Sequence, residues 1–189
     1  MKIAKLMLFC LLSITLLCSC ALEPKTQEEK IKELYDAFTD IKGFSLTADI
    51  DGGDKGDFTV KMTYECEMSS KVEVVSPDFM KGFTLELCAD KMIIGSDGSR
   101  YELKKEMASS PASMALLMAP VLYDLIKTGD ITFGDDGATL TLNGSYTIDK
   151  LDVSLSAIFD AVDMVPQHIT VAAGMLKITA EISDFTILI

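Results

Sequence analysis

Phe44-Ser45-Leu46-Thr47-Ala48-Asp49-Ile50 and Phe58-Thr59-Val60-Lys61-Met62-Thr63-Tyr64-Glu65-Cys66-Glu67-Met68 flank the turn-forming stretch Gly52-Gly53-Asp54-Lys55-Gly56. In both segments apolar and polar side chains alternate, which is the period of a strand whose two faces meet different surroundings. Two such runs joined by a glycine-rich turn predict an antiparallel hairpin with one apolar and one wet face.

The same pattern continues outward. Val72 and Val74 follow, then Phe83, Leu85 and Leu87 opposite Thr84 and Glu86. Met92 to Ile94, and Tyr101 and Leu103 around a Ser96-Asp97-Gly98 turn, complete a meander of about six strands. Upstream, Thr26-Gln27-Glu28-Glu29 fits a capping box, and Ile31, Leu34, Tyr35, Phe38 and Ile41 recur at helical spacing. One amphipathic helix is predicted over 26–41, with Gly43 as its stop. Downstream, Ser110 and Pro111 open a second helical stretch, Ala112 to Lys127, apolar over more than one stripe, which Pro120 should kink or divide. Strands resume at Ile131 to Phe133 and Thr139 to Leu142, with Asn143-Gly144 as a hairpin turn before Tyr146 to Ile148. Leu151 to Leu155, Ile169 to Ala173 after Pro166, and Leu176 to Ile189 finish the chain, with no repeat or interdomain linker.

Strand parity bears on the cysteines. Cys66 falls on the apolar face, whereas Cys88 aligns with Thr84 and Glu86 on the polar one. In a simple meander their strands are two apart, about 9.6 Å, beyond the ~7 Å reach of a disulfide. No Cys66–Cys88 bridge is expected.

The N-terminus carries a different kind of signal. Lys2 and Lys5 precede an apolar run from Leu6 to Leu17. As a helix that run would be roughly 18 Å long against the ~30 Å of a bilayer core, short for a span but suited to a signal peptide. Leu17-Cys18-Ser19-Cys20 resembles the bacterial lipobox. The resemblance implies a lipoprotein signal peptide over 1–19, a diacylglyceryl thioether on Cys20, and a short lipidated tether over 20–25. An uncleaved anchor, or an ordinary signal peptide with incidental cysteines, are the alternatives. Two or more acyl chains hold a protein stably at a membrane, which one does not. Ala21 lacks the aspartate associated with inner-membrane retention, so both a cell membrane and an outer membrane are open as the extracytoplasmic location.

The formal charge is -12, and loss of Lys2 and Lys5 with the signal peptide takes it to -14. So acidic a chain is a poor binder of nucleic acid, which is not expected as a partner, and is repelled by anionic headgroups. Membrane contact should therefore come through the acyl anchor or apolar surface rather than a basic patch. His168 is the only histidine, without a second ligand for a metal or a partner for a nucleophile. Asp51, Asp54 and Asp57 lack the order of a calcium loop and read as a solvated hairpin tip, as does Asp135-Asp136-Gly137. No catalytic constellation, cofactor motif or metal site is present, and the chain is not expected to be an enzyme.

A lipidated N-terminus, a helix, about six strands, an apolar helical insertion and about five more strands resemble the lipoprotein-carrier family (LolA/LolB-like proteins) and the mycobacterial glycolipid-carrier lipoproteins. Val72-Glu73-Val74-Val75-Ser76-Pro77 leading into Gly82-Phe83-Thr84-Leu85, and Pro166-Gln167-His168-Ile169-Thr170-Val171 before Leu176 to Phe185, carry the likeness. The resemblance implies an α+β fold: a curved antiparallel sheet of about eleven strands, an incomplete barrel. An N-terminal helix and a helical insertion would cover its apolar face, in one domain over 26–189. It also implies an apolar space that shelters acyl chains. That family's lid-holding arginine has no clear counterpart, since Arg100 is the only arginine.

On this reading the sheet side of the ligand space comprises Phe44, Leu46, Ile50, Phe58, Val60, Met62, Tyr64, Val72, Val74, Phe83, Leu85 and Leu87, and the cover Met114, Leu117, Met118, Val121 and Leu122. The methionines Met62, Met68, Met107, Met114 and Met118 suit a surface that adapts to variable chains, or are gap-fillers in a packed core. Two functions follow from the two readings. One is a membrane-anchored protein that binds or carries the acyl chains of a lipid or lipoprotein. The other is a non-enzymatic envelope lipoprotein with a filled core and a protein partner on its outer face.

Overall fold

The structure is a computed structural model describing residues 25–53, 56–66, 69–88, 91–96, 98–104, 111–134, 137–148 and 151–189. The predicted signal segment 1–19, Cys20, and Asp54, Met68, Asp97, Met107, Asp135 and Asp136 lie outside the described residues.

Helix α1 (Gln27–Ala37) begins as its sequence predicts: the Thr26 hydroxyl accepts the Glu29 amide at 3.3 Å, and the Thr26 amide donates to Glu29 Oε2 at 2.8 Å. It ends earlier than the expected 41, because Phe38 turns inward as C-cap and is fully buried. Gly43 is not the helix stop. It is the first residue of strand β1 (Gly43–Asp51), paired with both Glu65 and Leu188, and a Cβ there would overlap the Tyr64 carbonyl oxygen.

Strands β2 (Phe58–Glu65), β3 (Ser69–Ser76), β4 (Thr84–Leu87), β5 (Lys91–Ser96) and β6 (Ser99–Lys104) form the expected meander. Helix α2 (Pro111–Thr128) then leads to β7 (Asp130–Phe133), β8 (Thr139–Ile148), β9 (Leu151–Asp160), β10 (Pro166–Ala173) and β11 (Leu176–Leu188). The eleven strands make one open antiparallel sheet in the order β6-β5-β4-β3-β2-β1-β11-β10-β9-β8-β7. Two meanders are thus zipped together by the first and last strands, with β6 and β7 as the outer edges. This is the architecture that the sequence resemblance implied.

The connectivity explains the position of α2. The chain leaves one edge of the sheet at β6 and must re-enter at the opposite edge, β7, so the intervening segment crosses the concave face. At 18 residues α2 spans roughly 27 Å, and it packs on β2, β3, β4, β8, β9, β10 and β11. Pro120 does not divide it. Proline cannot donate to the carbonyl of residue 116, and the Ser70 hydroxyl of β3 donates to that oxygen instead, at 2.8 Å. Sheet and helix together satisfy the group that the helix alone would leave bare.

The Asn143-Gly144 hairpin expectation is overturned. Both residues lie within the unbroken strand β8, opposite Ser156 and Leu155. The glycine marks a close approach: a Cβ on Gly144 would sit 2.5 Å from Leu125 Cδ2 of α2. In β11 the apolar positions change from even to odd numbers between Ile182 and Phe185, where the register with β1 shifts at a bulge opposite Thr47 and Ala48. Cys66 and Cys88 are not joined by a disulfide, and β3 separates the strands they follow.

Candidate functional site in the concave face

The register places the expected lining residues on one surface. Phe44, Leu46 and Ile50 stand opposite Tyr64, Met62 and Phe58, and Val60 and Met62 opposite Val74 and Val72. Val72 pairs in turn with Leu85, and Phe83 and Leu87 share its parity. From above, Met114, Leu117, Met118, Val121 and Leu122 of α2 close on this surface, and all seventeen residues named from sequence belong to or pack against one core. Sequence reasoning omitted the other half of that core, Leu140, Leu142, Val153, Leu155, Ala157 and Phe159 on β8 and β9, with Leu125 and Ile126 on α2. The same two-residue alternation would have found the strand members.

The seam between α2 and the sheet is closed. Leu46, Met62, Met114, Leu117 and Met118 are at most 1% exposed, so no water-sized space adjoins them. A void of that kind would forfeit the dispersion contacts of its walls, so the apolar faces of helix and sheet pack directly together. Each such side chain taken fully from water contributes about 1.5–3 kcal/mol. At one end of the trough, the rings of Phe44, Phe159 and Phe185 pack around Phe38 at centroid distances of 6.1, 6.4 and 5.9 Å. Tyr64 extends this aromatic group to Phe44 and to Tyr123 of α2, both at 5.5 Å. Helix α1 is fastened there by Phe38 and Leu34, both 0% exposed.

The concave face is longer than its cover. Leu85 and Leu87 pair with Ile94 and Met92, which pair with Tyr101 and Leu103 on β6. This continues the apolar lining across β5 and β6, beyond the strands on which α2 chiefly packs. Met92 and Ile94 are half-buried, whereas Tyr101 is 63% and Leu103 44% exposed. A contiguous apolar strip left open at the rim of a packed core marks an interaction site more often than chance exposure does. The alternation of Met92, Ile94, Tyr101 and Leu103 was legible in the sequence; that the cover stops short of them was not.

The convex face is chemically different. A shallow depression of about 390 Å³ is lined by Asp49, Asp51, Asp57, Glu181 and His168 beside Phe58 and Thr59. Thr59 donates to Asp49 at 2.6 Å, and the Asp51 carboxylate accepts the Gly53 amide at 2.8 Å, as in a solvated hairpin tip. Among the described residues no three His, Cys, Asp or Glu side chains are arranged to hold a metal ion. No helix among them is long and apolar enough to cross a membrane.

No family model matches the chain, and no curated protein matches it by sequence. Solved structures do match it by shape. A LolA superfamily protein from Nitrosomonas europaea is 9% identical over 86% of this chain and 94% of its own, with a TM-score of 0.44. The GerS lipoprotein structure, solved as a complex with the CwlD amidase from Clostridioides difficile, is 19% identical over 87% and 97%, with a TM-score of 0.46. The lipoprotein LppX from Mycobacterium tuberculosis is 11% identical over 85% and 96%, with a TM-score of 0.42.

Proposed function

We propose that the mature chain is an extracytoplasmic lipoprotein, held at a membrane by acyl groups on Cys20, that takes up acyl chains of a lipid or lipoprotein on its concave face. The observation that carries this reading is the apolar strip Met92, Ile94, Tyr101 and Leu103, which prolongs the core lining past the end of its helical cover. An acyl chain laid along the strip removes apolar surface from water on both partners at ~25 cal/mol per Å². Deeper entry lifts α2, whose N-terminal half carries the buried Met114 and Met118. Flexible thioethers repack around a variable chain at little cost. No catalytic step is part of this function.

Displacement of a fluorescent fatty acid from residues 21–189 tests it. Saturable binding is expected, weakened at least tenfold by the pair Tyr101→Asp and Leu103→Asp, both at exposed positions, with little change in melting temperature. No binding, or binding indifferent to that pair, contradicts it.

A second reading has its own observation. With Met62 and Met118 at 1% and 0% exposure, the trough is also what a filled scaffold needs, and the acidic convex depression would then engage a basic envelope partner. That reading predicts no fatty-acid binding at all, and a partner lost on Asp49→Lys. A charge at Met118 does not separate the two readings, because a residue so fully enclosed reports on folding in both.

A further inference from the structure

We infer that the edge strand β6 is a pairing site for a second copy of this chain, in one register centred on Tyr101. Ser96 and Ser99 flank a two-residue connection and must therefore be a hydrogen-bonded pair. Alternation from there makes Ile94 and Tyr101 exchange bonds, and turns the amide and carbonyl of Arg100 and Glu102 outward, with no further strand beyond β6 among the described residues. Of the usual protections of an edge, the strand carries only charge, in Arg100, Glu102 and Lys104. The strand has six residues, no proline and no bulge, and its apolar-face side chains Tyr101 and Leu103 are exposed. The opposite edge, β7, has four residues.

Charge selects both occupant and register. Arg100 and Glu102 lie on the convex side of β6, where Arg100 reaches Glu86 at 2.9 Å and Lys91 reaches Glu102 at 2.7 Å. Antiparallel pairing of β6 with its own copy allows two central registers. Centred on Glu102, it sets like charges directly opposite, which is unfavourable. Centred on Tyr101, it sets each Arg100 opposite the other copy's Glu102 and stacks the two Tyr101 rings on the concave side. The strand is complementary to itself in this register.

The two-fold axis then stands normal to the sheet, and both α1 helices lie on the same side of a continuous sheet, where two chains anchored in one bilayer need them. Pairing also joins the two open strips of Ile94, Tyr101 and Leu103 into one apolar trough. One strand pair buries less than the ~1,200 Å² of a standard stable interface, so the dimer is concentration-dependent rather than obligate. The inference stands apart from lipid uptake and is tested without lipid.

Disulfide trapping in membranes of cells expressing the full-length chain, in a Cys66→Ser and Cys88→Ser background, is the experiment. In the inferred register Tyr101 faces its own copy with Cβ atoms about 5 Å apart, while Leu103 faces Ser99 and lies about 14 Å from the other Leu103. Tyr101→Cys should give a dimer band under mild oxidation and Leu103→Cys should not. Adding Arg100→Glu or Glu102→Arg to Tyr101→Cys should each reduce trapping at least fivefold, and co-expressing the two charge variants should restore it. Absence of a Tyr101→Cys dimer, equal trapping at Leu103→Cys, or failure of the mixed charge variants to recover would each overturn the inference. Because each charge variant is its own folded control in the mixture, misfolding cannot imitate the recovery.

Discussion

Ser70 and Pro120 share one carbonyl. The oxygen of Leu116 loses its helical donor to Pro120 and receives the Ser70 hydroxyl in its place, in a region where Ser70 is 3% exposed. Ser70→Ala therefore leaves a buried acceptor bare and should cost about 1–3 kcal/mol. Pro120→Ala returns a backbone donor to the same oxygen, so Ser70→Ala should be much milder in that background. Chemical denaturation of the four proteins in the cycle measures the coupling, and additive costs would show that the two residues do not share the carbonyl. Gly144 makes a similar point about contact. Gly144→Val sets branched carbons into the space held by Leu125, and should lower stability by about 1–3 kcal/mol, by thermal melting. Were Gly144 needed only for a turn, the change would act on an exposed loop and spare the α2 contact.

Elements were legible where a local pattern determines them, and misread where a partner does. Thr26 and Glu29 marked the start of α1 because a capping box is complete within four residues. Thr26→Ala should cost about 1 kcal/mol, seen as faster amide exchange in the first turn. Asn143-Gly144 read as a hairpin because that dipeptide favours turns, yet α2 needs a residue without a side chain on β8, and nothing near Asn143 in sequence announces Leu125. The end of α1 was misplaced for the same reason: Phe38 leaves the helix to enter the aromatic group with Phe44, Phe159 and Phe185. The bulge in β11 was not expected, although the apolar positions change parity between Ile182 and Phe185 within the sequence itself.

Acid should loosen particular elements first. The Val162 and Asp163 amides donate to Asp160 at 2.7 and 3.1 Å and hold its carboxyl below the ordinary value of 3.8, while the Thr26 amide and hydroxyl hold Glu29 below 4.5. A carboxyl with a lowered folded pKa contributes stability that is present above its unfolded pKa and lost as pH falls through the folded one. Melting temperature should therefore drop below about pH 4, with the β9–β10 turn and the first turn of α1 loosening first. In Asp160→Asn that acid-side drop should be shallower; an unchanged slope would mean the turn does not draw on the carboxylate.

At the scale of the whole molecule, the eleven-strand sheet follows from alternation, and its open form follows from connectivity. Two meanders join through β1 and β11, and the helix between them must cross the trough from one edge to the other. The sequence named the surface on which ligand binding is proposed, because parity assigns Met62, Val72 and Leu85 to one face. It could not show how tightly α2 closes on that face, which depends on packing across the whole sheet, nor that β5 and β6 extend past the cover. The proposed uptake of acyl chains rests on those two features together, an open apolar strip beside a closely packed seam.

Photo-crosslinking with a diazirine-bearing fatty acid, followed by peptide mapping, tests that claim most directly. The account predicts label concentrated on Met92, Ile94, Tyr101 and Leu103 and on the N-terminal half of α2, competed away by unlabelled fatty acid. Label confined to the convex face, or none above that of a denatured control, would contradict it.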